Sequence, residues 1–400
     1  MKKQPMKTSL PAMAIRNAKI LLPGGQMVAG GLTVEQGRIA RIGQPNRKTP
    51  ALDVQGAYVI PGLIDLHTHG IGYTSVFSIN DTLQSYAEQE AARGTTAFYP
   101  SFFGPVEETI GHLNRHLAET DNLRTVPQVV GFRLESPYLA RTGAGRSKDL
   151  APISSTTTRR LLRAGGGWIK IWDISPELPG APAAIRTLCR SGVVCSIAHT
   201  QCTVKQAQAA IAAGARLVTH MFDTFVMPIE TDPGVYPAGL VDYLLVEDRV
   251  ACEIIADGTH VPAFHVEKTL RCKPAGGIIL VTDSNFGAGL PPGEYDLPQG
   301  WGRAKIAGPN NGVRLIDRDM GLAGSALTPI DGFRNMIRMF HKDIAVASRL
   351  CSANPARLLG LNKGEIAIGR DADLLVLSPK LDLLYTVVGG KIIFSRQSQD

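Results

Sequence analysis

Short apolar runs of strand length recur through the middle of the chain and alternate with longer segments of helical pattern. Eight runs can be distinguished, from "VIPGLIDLHTHG" and "TTAFYPSFFG" to "ACEIIADGTHV" and "GIILVTDSN". Several of the segments between them open on Ser, Thr or Asn and close on Gly, as helices do. Buried strands that alternate with helices predict parallel strands joined by crossovers, and eight of them fit a closed barrel better than an open sheet. The pattern is least clear in the fourth and eighth crossovers.

The two ends of the chain have a different pattern, in which short alternating runs are separated by glycine-rich turns. Glycine pairs interrupt the first 58 residues, and "GEIAIGRDADLLVLSP" and "LLYTVVGGKIIF" repeat the texture near the C-terminus. Neither end alone has enough strands to bury a core. We therefore predict an α/β protein: a (β/α)8 TIM barrel over residues 59–358, with a small β-sandwich formed jointly by residues 1–58 and 359–400.

Composition and charge narrow the classes of function. The 400 residues are 44% hydrophobic and 19% charged, which is enough apolar content for a large core. The net charge is +7, but the Lys and Arg residues are scattered, without a basic run that could track a nucleic acid. No stretch of about 18 apolar residues predicts a membrane span, and the six cysteines form no C-x-x-C pair. We expect a protein of the reducing cytoplasm that binds a small molecule, not a nucleic acid or a membrane.

Residues suited to metal binding or acid-base chemistry fall where the predicted strands end. They are His67 and His69 on the first strand, Glu135 on the third, His199 on the fifth, His220 on the sixth, His260 after the seventh and Asp283 on the eighth. The carboxyl ends of all strands meet at one face of a barrel, the face that carries active sites. Any one of these residues alone could be a packed or surface side chain. Their joint position predicts one site.

The residue types in this set indicate a metal centre. Residues i and i+2 of a strand point to the same face, so His67 and His69 can bind one cation together. Imidazole nitrogens and carboxylate oxygens suit zinc or a similar divalent metal. One ion is expected at His199, His220 and Glu135, and a second could bind at His67, His69 and Glu135. Such a site predicts metal-assisted hydrolysis, because a bound divalent ion lowers the pKa of water toward about 7.

Two further residues bear on the mechanism. Asp283 is expected to take a proton from the attacking water and return it to the leaving group. Lys170 stands in "WIKIW" of the fourth strand, where some barrels of this chemistry hold a carbamylated lysine between two metals. Because Glu135 can already bridge two ions, we expect Lys170 to lie at the edge of the core or to face the substrate.

Several motifs resemble those of a known group of enzymes. They are "PGLIDLHTHG", "LESPYL", "AHT", "VTHMFD", "IADGTHV", "VTDS", "LAGSALT" and "SANPARLLGLNKGEIAIGRDADLLVL". Across nearly the whole chain, they resemble the amidohydrolase superfamily and, within it, the N-acetylglucosamine-6-phosphate deacetylases. The resemblance implies a barrel with a β-sandwich from both termini and a homodimer. It also implies hydrolysis of the acetamide of an amino-sugar phosphate, with release of acetate.

The chain departs from that family where the substrate should bind. The strand-six motif continues with Asp223, Thr224 and Phe225 in place of asparagine, alanine and methionine. Thr231 replaces an arginine that contacts the sugar phosphate in the family, and Gly145 replaces a histidine that helps hold the acyl group. Loss of an arginine and gain of a carboxylate both disfavour a phosphate dianion. The metal site is therefore expected to be intact and the phosphate site altered.

The expected substrate contacts come from three loops. They are His260 after strand seven, Asp223 and Thr224 after strand six, and Arg133 and Arg146 near strand three. Either arginine, or Arg141 between them, could restore an anion site. For each of the three, a surface position is the simpler interpretation.

Three functions are compatible with these features. The leading one is a metal-dependent amidohydrolase that removes an acyl group, expected to be acetyl, from an amide nitrogen of an amino sugar or sugar phosphate. The second is a cyclic amide or imide hydrolase of the dihydroorotase or hydantoinase type, which a metal-bound Lys170 would favour. The third is a non-catalytic assembly protein on the same barrel. Such a protein would be expected to lose metal ligands, yet all of them are present.

Overall fold

The computed structural model describes residues 13–45, 49–226, 233–235 and 237–396, which contain 22 strands and ten α-helices. The strands are, in chain order, β1 (Met13–Leu21), β2 (Met27–Glu35), β3 (Arg38–Ile42), β4 (Ala51–Asp53), β5 (Tyr58–Pro61), β6 (Leu63–Thr68), β7 (Gly70–Ile71), β8 (Thr74–Ser75), β9 (Thr95–Phe102), β10 (Phe132–Leu134), β11 (Ile169–Ile174), β12 (Val194–Ile197), β13 (Leu217–Val218), β14 (Ala251–Ile255), β15 (Ile278–Val281), β16 (Gly293–Leu297), β17 (Gly302–Ile306), β18 (Val313–Leu315), β19 (Gly321–Leu322), β20 (Leu374–Leu377), β21 (Leu383–Val388) and β22 (Lys391–Ser395). The helices are α1 (Leu83–Ala91), α2 (Val106–Glu119), α3 (Ser155–Ala164), α4 (Ala181–Arg190), α5 (Val204–Ala213), α6 (Leu240–Val246), α7 (Ala263–Cys272), α8 (Pro329–Arg338), α9 (Ile344–Ser348) and α10 (Asn354–Leu358).

Eight parallel strands form the barrel that the sequence pattern predicts. Their order in the sheet is β6, β9, β10, β11, β12, β13, β14 and β15, the same as their order along the chain. A parallel bridge between Thr68 and Ser284 brings the last strand back to the first. Each predicted apolar run contains one of these strands, and one helix, from α1 to α8, follows each strand. The predicted (β/α)8 fold is confirmed. Because both faces of the sheet are covered, strands such as β15 are buried throughout.

The two ends of the chain meet in a separate sheet, as predicted. Its strands run in the order β22, β21, β20, β5, β1, β2 and β3, with β4 beside β1. The antiparallel pair of β5 and β20 joins the N-terminal and C-terminal parts. Ile15 and Val34 from one part share a hydrophobic core with Leu374 and Val376 from the other. Each part therefore depends on the other to bury its apolar face.

The first apolar run is divided between the two sheets, whereas the sequence pattern predicted a single strand there. β5 pairs with β1 and β20 in the terminal sheet, and β6 begins the barrel after Gly62. A side chain at Gly62 would collide with Thr96, so the chain can turn closely here only with glycine. Both halves are buried, so their hydrophobicity gives no sign of the change. The predicted boundary after residue 58 falls inside β5, and the domain limits stay a proposal.

A small antiparallel sheet was not predicted. It consists of β16, β17, β18 and β19 and lies in the eighth crossover, between β15 and α8. Its strands alternate between exposed and half-buried residues, as in Glu294, Tyr295 and Asp296 of β16. Such a strand buries only one side chain in two, so it lacks the continuous apolar run that marks the barrel strands.

Two other expectations concern the whole chain. No helix in the described ranges has both the length and the apolar character that a bilayer crossing requires. All six cysteines are unpaired thiols, and Cys272 is the exposed one among them.

Candidate active site

Six side chains at the carboxyl ends of the barrel strands form one buried cluster. They are His67 in β6, His69 just beyond it, Glu135 directly after β10, His199 after β12, His220 after β13 and Asp283 after β15. None of the six is more than 7% exposed. The fold therefore brings together every residue that the sequence predicts as a metal ligand, with the predicted acid-base residue among them.

Glu135 lies between two pairs of histidines. Its Oε2 atom is 3.0 Å from His69 Nε2 and 3.3 Å from His67 Nε2. Its Oε1 atom is 2.9 Å from His199 Nε2 and 3.4 Å from His220 Nε2. Each carboxylate oxygen thus faces one pair, the arrangement that a carboxylate shared by two ions requires.

Asp283 faces the first histidine pair from the end of β15, which lies beside β6 where the barrel closes. Its Oδ1 atom is 3.4 Å from His67 Nε2 and 3.3 Å from His69 Nε2. The backbone N–H of Asp283 donates to the carbonyl of His67 at 2.8 Å, which holds the two strand ends together. Burial alone would raise the pKa of the Asp283 carboxyl, but the neighbouring imidazoles lower it to about 2. Asp283 is therefore an ionised carboxylate.

The electrostatics of the cluster favour added positive charge. Burial works to lower the pKa of His69, yet the hydrogen bonds to Asp283 and Glu135 raise it to about 10. His220 follows the same pattern: burial opposes its charge, while Glu135 and nearby carboxylates raise its pKa to about 10. His67 differs, because burial and the Arg133 guanidinium lower its pKa to about 4. A divalent cation would be attracted by the same carboxylates.

The donor atoms are close enough to share an ion. Those of His67, His69 and Glu135 all lie within 4.8 Å of one another, and so do those of Glu135, His199 and His220. Nitrogen and oxygen donors of this kind suit zinc and similar divalent metals. A third set, His220, Asp223 and Asp283, also lies within this distance, so Asp223 borders the cluster. The first two sets fit one or two ions, with Glu135 common to both.

Backbone carbonyls orient one ring of each pair. His69 donates from Nδ1 to the carbonyl of Ser101 at 2.8 Å, and His199 donates from Nδ1 to the carbonyl of Arg141 at 3.1 Å. These bonds place the proton of each neutral ring on Nδ1, so that Nε2, which is directed at the cluster, is the nitrogen that can bind a metal.

Three residues of the cluster have a left-handed backbone. The φ angle is +44° at His199, +20° at His220 and +49° at Asp283. Side chains other than glycine rarely adopt this region, so each turn carries a local energetic cost. The turns redirect the chain as it leaves the strands and bring the three side chains into the mouth of the barrel.

Arg133 does not contact the cavity, and the expectation that it binds substrate is wrong. Its side chain is fully buried inside the barrel. Nε and Nη2 donate to Asp173 at 3.1 and 3.0 Å, and Nη1 and Nη2 donate to Glu253 at 2.6 and 3.0 Å. Further bonds reach the carbonyl of Leu66 and the hydroxyl of Thr219. With its donors engaged below the metal ligands, Arg133 supports the floor of the site.

Asp173 and Glu253 were missed by sequence reasoning. Glu253 accepts the backbone N–H of His220 at 3.3 Å, and its Oε2 atom lies 3.9 Å from His67 Nδ1. Both acids interrupt apolar strands, in "WDI" and "CEII". A charged residue inside a buried strand needs a partner, and matching the two acids with Arg133 in "FRL" could have revealed the network.

A cavity of about 300 Å³ opens above the cluster. The predicted contacts Asp223 and Thr224 line it, as does Gly145. The inserted sheet and its turns contribute Leu297, Trp301 and other residues to the far wall. The unpredicted insertion therefore shapes the substrate side of the site.

The other predicted contacts lie at or beyond the edge of this cavity. Arg146 pairs with Asp149 at 3.2 Å and packs over the ring of Trp301 at 5.4 Å. The His260 side chain is buried and bonds through Nδ1 to Asp257 at 2.6 Å, and it is not part of the cavity wall. Thr231 lies outside the described residues.

Lys170 lies far from the cluster. It is the second residue of β11, at the amino end of the strand, and its Nζ donates to the carbonyl of Gly167 at 2.8 Å. The active-site face of the barrel is at the opposite end. A carbamylated Lys170 between two metals therefore has no support in this geometry.

A (β/α)8 barrel with histidines and carboxylates gathered at the carboxyl ends of its strands defines a class of metal-assisted hydrolases. The sequence matches the amidohydrolase family over residues 58–393, and the chain belongs to this family. The family assignment and the enzyme class predicted from the motifs are thereby confirmed.

Individual relatives are similar over nearly their whole length. The chain is 29% identical over 388 residues to an N-acetylglucosamine-6-phosphate deacetylase of Lysinibacillus sphaericus, covering 95% of this chain and 97% of the relative. It is 27% identical to an N-acetylgalactosamine-6-phosphate deacetylase of Escherichia coli O157:H7, covering 94% and 98%. A structure of N-acetyl-D-glucosamine-6-phosphate deacetylase from Mycobacterium smegmatis, in complex with N-acetyl-D-glucosamine-6-phosphate, has a TM-score of 0.84 at 26% identity and covers 96% of this chain and 100% of that one.

Proposed function

We propose that this protein is a metal-dependent amidohydrolase that removes an acyl group, acetyl in the simplest case, from the amide nitrogen of an amino sugar or sugar phosphate. The observation that carries the proposal is the position of Glu135 between two histidine pairs, with the ionised Asp283 opposite. The relatives named above, which are deacetylases of amino-sugar phosphates, support the same reaction type.

Zinc is the ion we propose, on the chemistry of the donor set. His199, His220 and Glu135 would hold one ion, and His67, His69 and Glu135 a second. A bound divalent ion supplies Lewis acidity, which polarises an amide carbonyl and makes water nucleophilic near neutral pH.

Asp283 would move the protons of the reaction. Its ionised carboxylate can accept a proton from the attacking water at Oδ and later donate it to the departing nitrogen, so that an amine leaves rather than an amide anion. His67 and His69 hold Oδ1 in place at 3.4 and 3.3 Å.

Two other expectations belong to this proposal. We place the protein in the cytoplasm, because six free thiols suit a reducing compartment. We also expect it to act as a homodimer, as the resemblance to the deacetylases implies. The alternative of a cyclic amide hydrolase with a bridging lysine loses its main support, because Lys170 lies at the amino end of β11.

The direct test is an assay of the purified, zinc-loaded protein. Acetate release from N-acetylglucosamine, N-acetylgalactosamine and their 6-phosphates should be measured beside the opening of dihydroorotate and hydantoin. We expect acetate from at least one sugar and no ring opening. Ring opening without acetate release would replace this proposal by the cyclic amide reaction.

A further inference from the structure

The substrate side of the cavity carries an unusual set of charges for an enzyme whose relatives act on sugar phosphates. Among the described residues that line it, none is a lysine or an arginine. The charged groups are instead the carboxylates Glu135, Asp223 and Asp283, together with histidines of the metal cluster. A phosphate dianion entering this space would meet no charge-assisted hydrogen bond from these residues.

Two arginines beside the cavity, Arg146 and Arg318, are engaged elsewhere, and Arg141 is exposed and does not line the cavity. Arg146 forms its ion pair with Asp149, and Arg318 donates to the carbonyl of Ala144 at 2.6 Å. Both guanidinium groups pack over the ring of Trp301, at 5.4 and 6.0 Å. They therefore hold Trp301 in the cavity wall and do not point their charge into the cavity.

Asp223 supplies the opposite charge. Its carboxylate lines the cavity, and no hydrogen bond or ion pair to it occurs within the described part of the chain. The segment that carries it is bent, with φ angles of +81° at Phe222 and +59° at Thr224. Backbone strain of this kind persists where the surroundings impose it, often at binding sites. A carboxylate in this position accepts a hydrogen bond from a hydroxyl or an ammonium group of the substrate.

The remaining wall is apolar. Phe103 lies 6.4 Å from Trp301 in an edge-to-face arrangement, and Leu297 and Leu322 of the inserted sheet complete the surface. A side chain at Gly145 would overlap the Phe103 ring, so glycine is what allows this ring to close on the loop. Such a wall stabilises an apolar group of the ligand by burying it.

We propose that the substrate is an N-acyl amino sugar without an anionic group, which places a hydroxyl or ammonium group at Asp223 and an apolar substituent against Phe103, Trp301 and Leu322. This inference rests on the proposed function and deepens it. It separates the chain from its relatives by substrate charge, not by reaction type.

Three probes test the proposal: N-acetylglucosamine, its 6-phosphate and its 4-nitrophenyl β-glycoside. With the zinc-loaded enzyme, kcat/KM should be highest for the aryl glycoside and at least about tenfold lower for the phosphate, since like charges in a desolvated site repel. Acyl release from none of the three, and none from N-acetylgalactosamine or its 6-phosphate, would overturn the proposed function itself. Release with the phosphate preferred would overturn only this inference.

Two variants locate the effect. Asp223→Asn should reduce the discrimination against the 6-phosphate by at least about tenfold, with unchanged zinc content. Asp296→Asn, an exposed acid on the inserted sheet, is the matched control and should retain the discrimination of the parent. Loss of zinc from Asp223→Asn would show that Asp223 is a metal ligand and would overturn its assignment to the substrate.

The apolar wall has its own test. Trp301→Ala should raise the KM for the aryl glycoside about tenfold, because this substrate buries an aromatic group against the wall. The KM for free N-acetylglucosamine, which has no such group, should stay within about twofold of the parent value. Leu322→Ala should also raise the KM for the aryl glycoside, and it replaces Trp301→Ala as the test variant if that protein does not fold.

A measurement that does not depend on turnover is calorimetric binding of glucosamine and glucosamine 6-phosphate. The unphosphorylated amine should bind more tightly, and the reverse order would contradict the proposal.

Discussion

Arg133 donates to both carboxylate oxygens of Glu253, at 2.6 and 3.0 Å, in the fully buried interior of the barrel. Glu253 in turn accepts a hydrogen bond from the backbone N–H of His220, so the buried ion pair supports the backbone of a predicted metal ligand. A buried pair of this kind need not add much net stability. Removal of one partner is costly, because it leaves an uncompensated charge.

The first prediction concerns that ion pair. Arg133→Met leaves Asp173 and Glu253 without their cation and should lower the free energy of unfolding by about 3–5 kcal/mol. Arg160→Met is the control, since Arg160 bonds to Glu107 at 2.6 Å on the exposed surface, where solvent screening leaves an ion pair little net effect on stability. Urea denaturation of the two variants compares the costs. Equal losses would mean that the interior network contributes no more than a surface pair.

The second prediction concerns the ion. The double variant His199→Ala/His220→Ala removes two of the three donors of one set and should lose at least one zinc per chain, together with all activity. His341→Ala, which changes an exposed histidine, should keep both. Elemental analysis after gel filtration gives the stoichiometry. Parent-like zinc content in the double variant would contradict the ligand assignment.

The third prediction separates the proton carrier from the ligands. Asp283→Asn keeps the shape of the side chain but cannot accept a proton, so kcat should fall by roughly 10²–10⁴. Zinc held by His199, His220 and Glu135 should remain. Asp248→Asn provides the matched change away from the cavity and should leave kcat unaltered. A kcat for Asp283→Asn close to that of the parent would remove Asp283 from the mechanism.

The position of the site could be predicted from the sequence because two simple periodicities combine there. Parallel strands place their carboxyl ends at one face, so residues as distant as His67 and Asp283 had to meet once the eight runs were recognised as strands. Hydrophobic pattern could not show how deep a polar strand residue lies. Arg133 and Glu135 are two positions apart and face the same interior, yet one is in the floor and the other at the mouth.

The loops and the insertion escaped prediction for a different reason. The direction of Asp223 depends on left-handed turns at Phe222 and Thr224, which no local pattern specifies. The sheet of β16 to β19 buries one face only, so its alternating residues resemble an exposed loop. The junction of β5 and β6 lies within one apolar run that contributes to three different hydrophobic clusters. Each failure occurs where tertiary contacts, not periodicity, set the structure.

The last prediction concerns Glu90, a fully buried acid on α1. Burial, aided by the charge of Asp65, raises the pKa of the Glu90 carboxyl from 4.5 to about 8, although Thr95 donates a hydrogen bond to it at 2.6 Å. Between these two pKa values the folded protein retains a proton that the unfolded chain has lost. The stability linked to Glu90 is therefore fully present below pH 4.5 and is lost as the pH rises through about 8.

Glu90→Gln keeps the size and hydrogen-bonding capacity of the protonated acid and cannot ionise. Its Tm relative to the parent should rise between pH 6 and pH 9 by about 2 °C or more, the shift that about 1 kcal/mol produces in a large domain. Glu88→Gln on the same helix is the control, because Glu88 is exposed and accepts a hydrogen bond from Gln84. Differential scanning calorimetry at both pH values measures the change. If the Tm of Glu90→Gln stays at a constant distance from that of the parent across this range, Glu90 is ionised in the folded protein and the buried network around it has to supply a compensating positive charge.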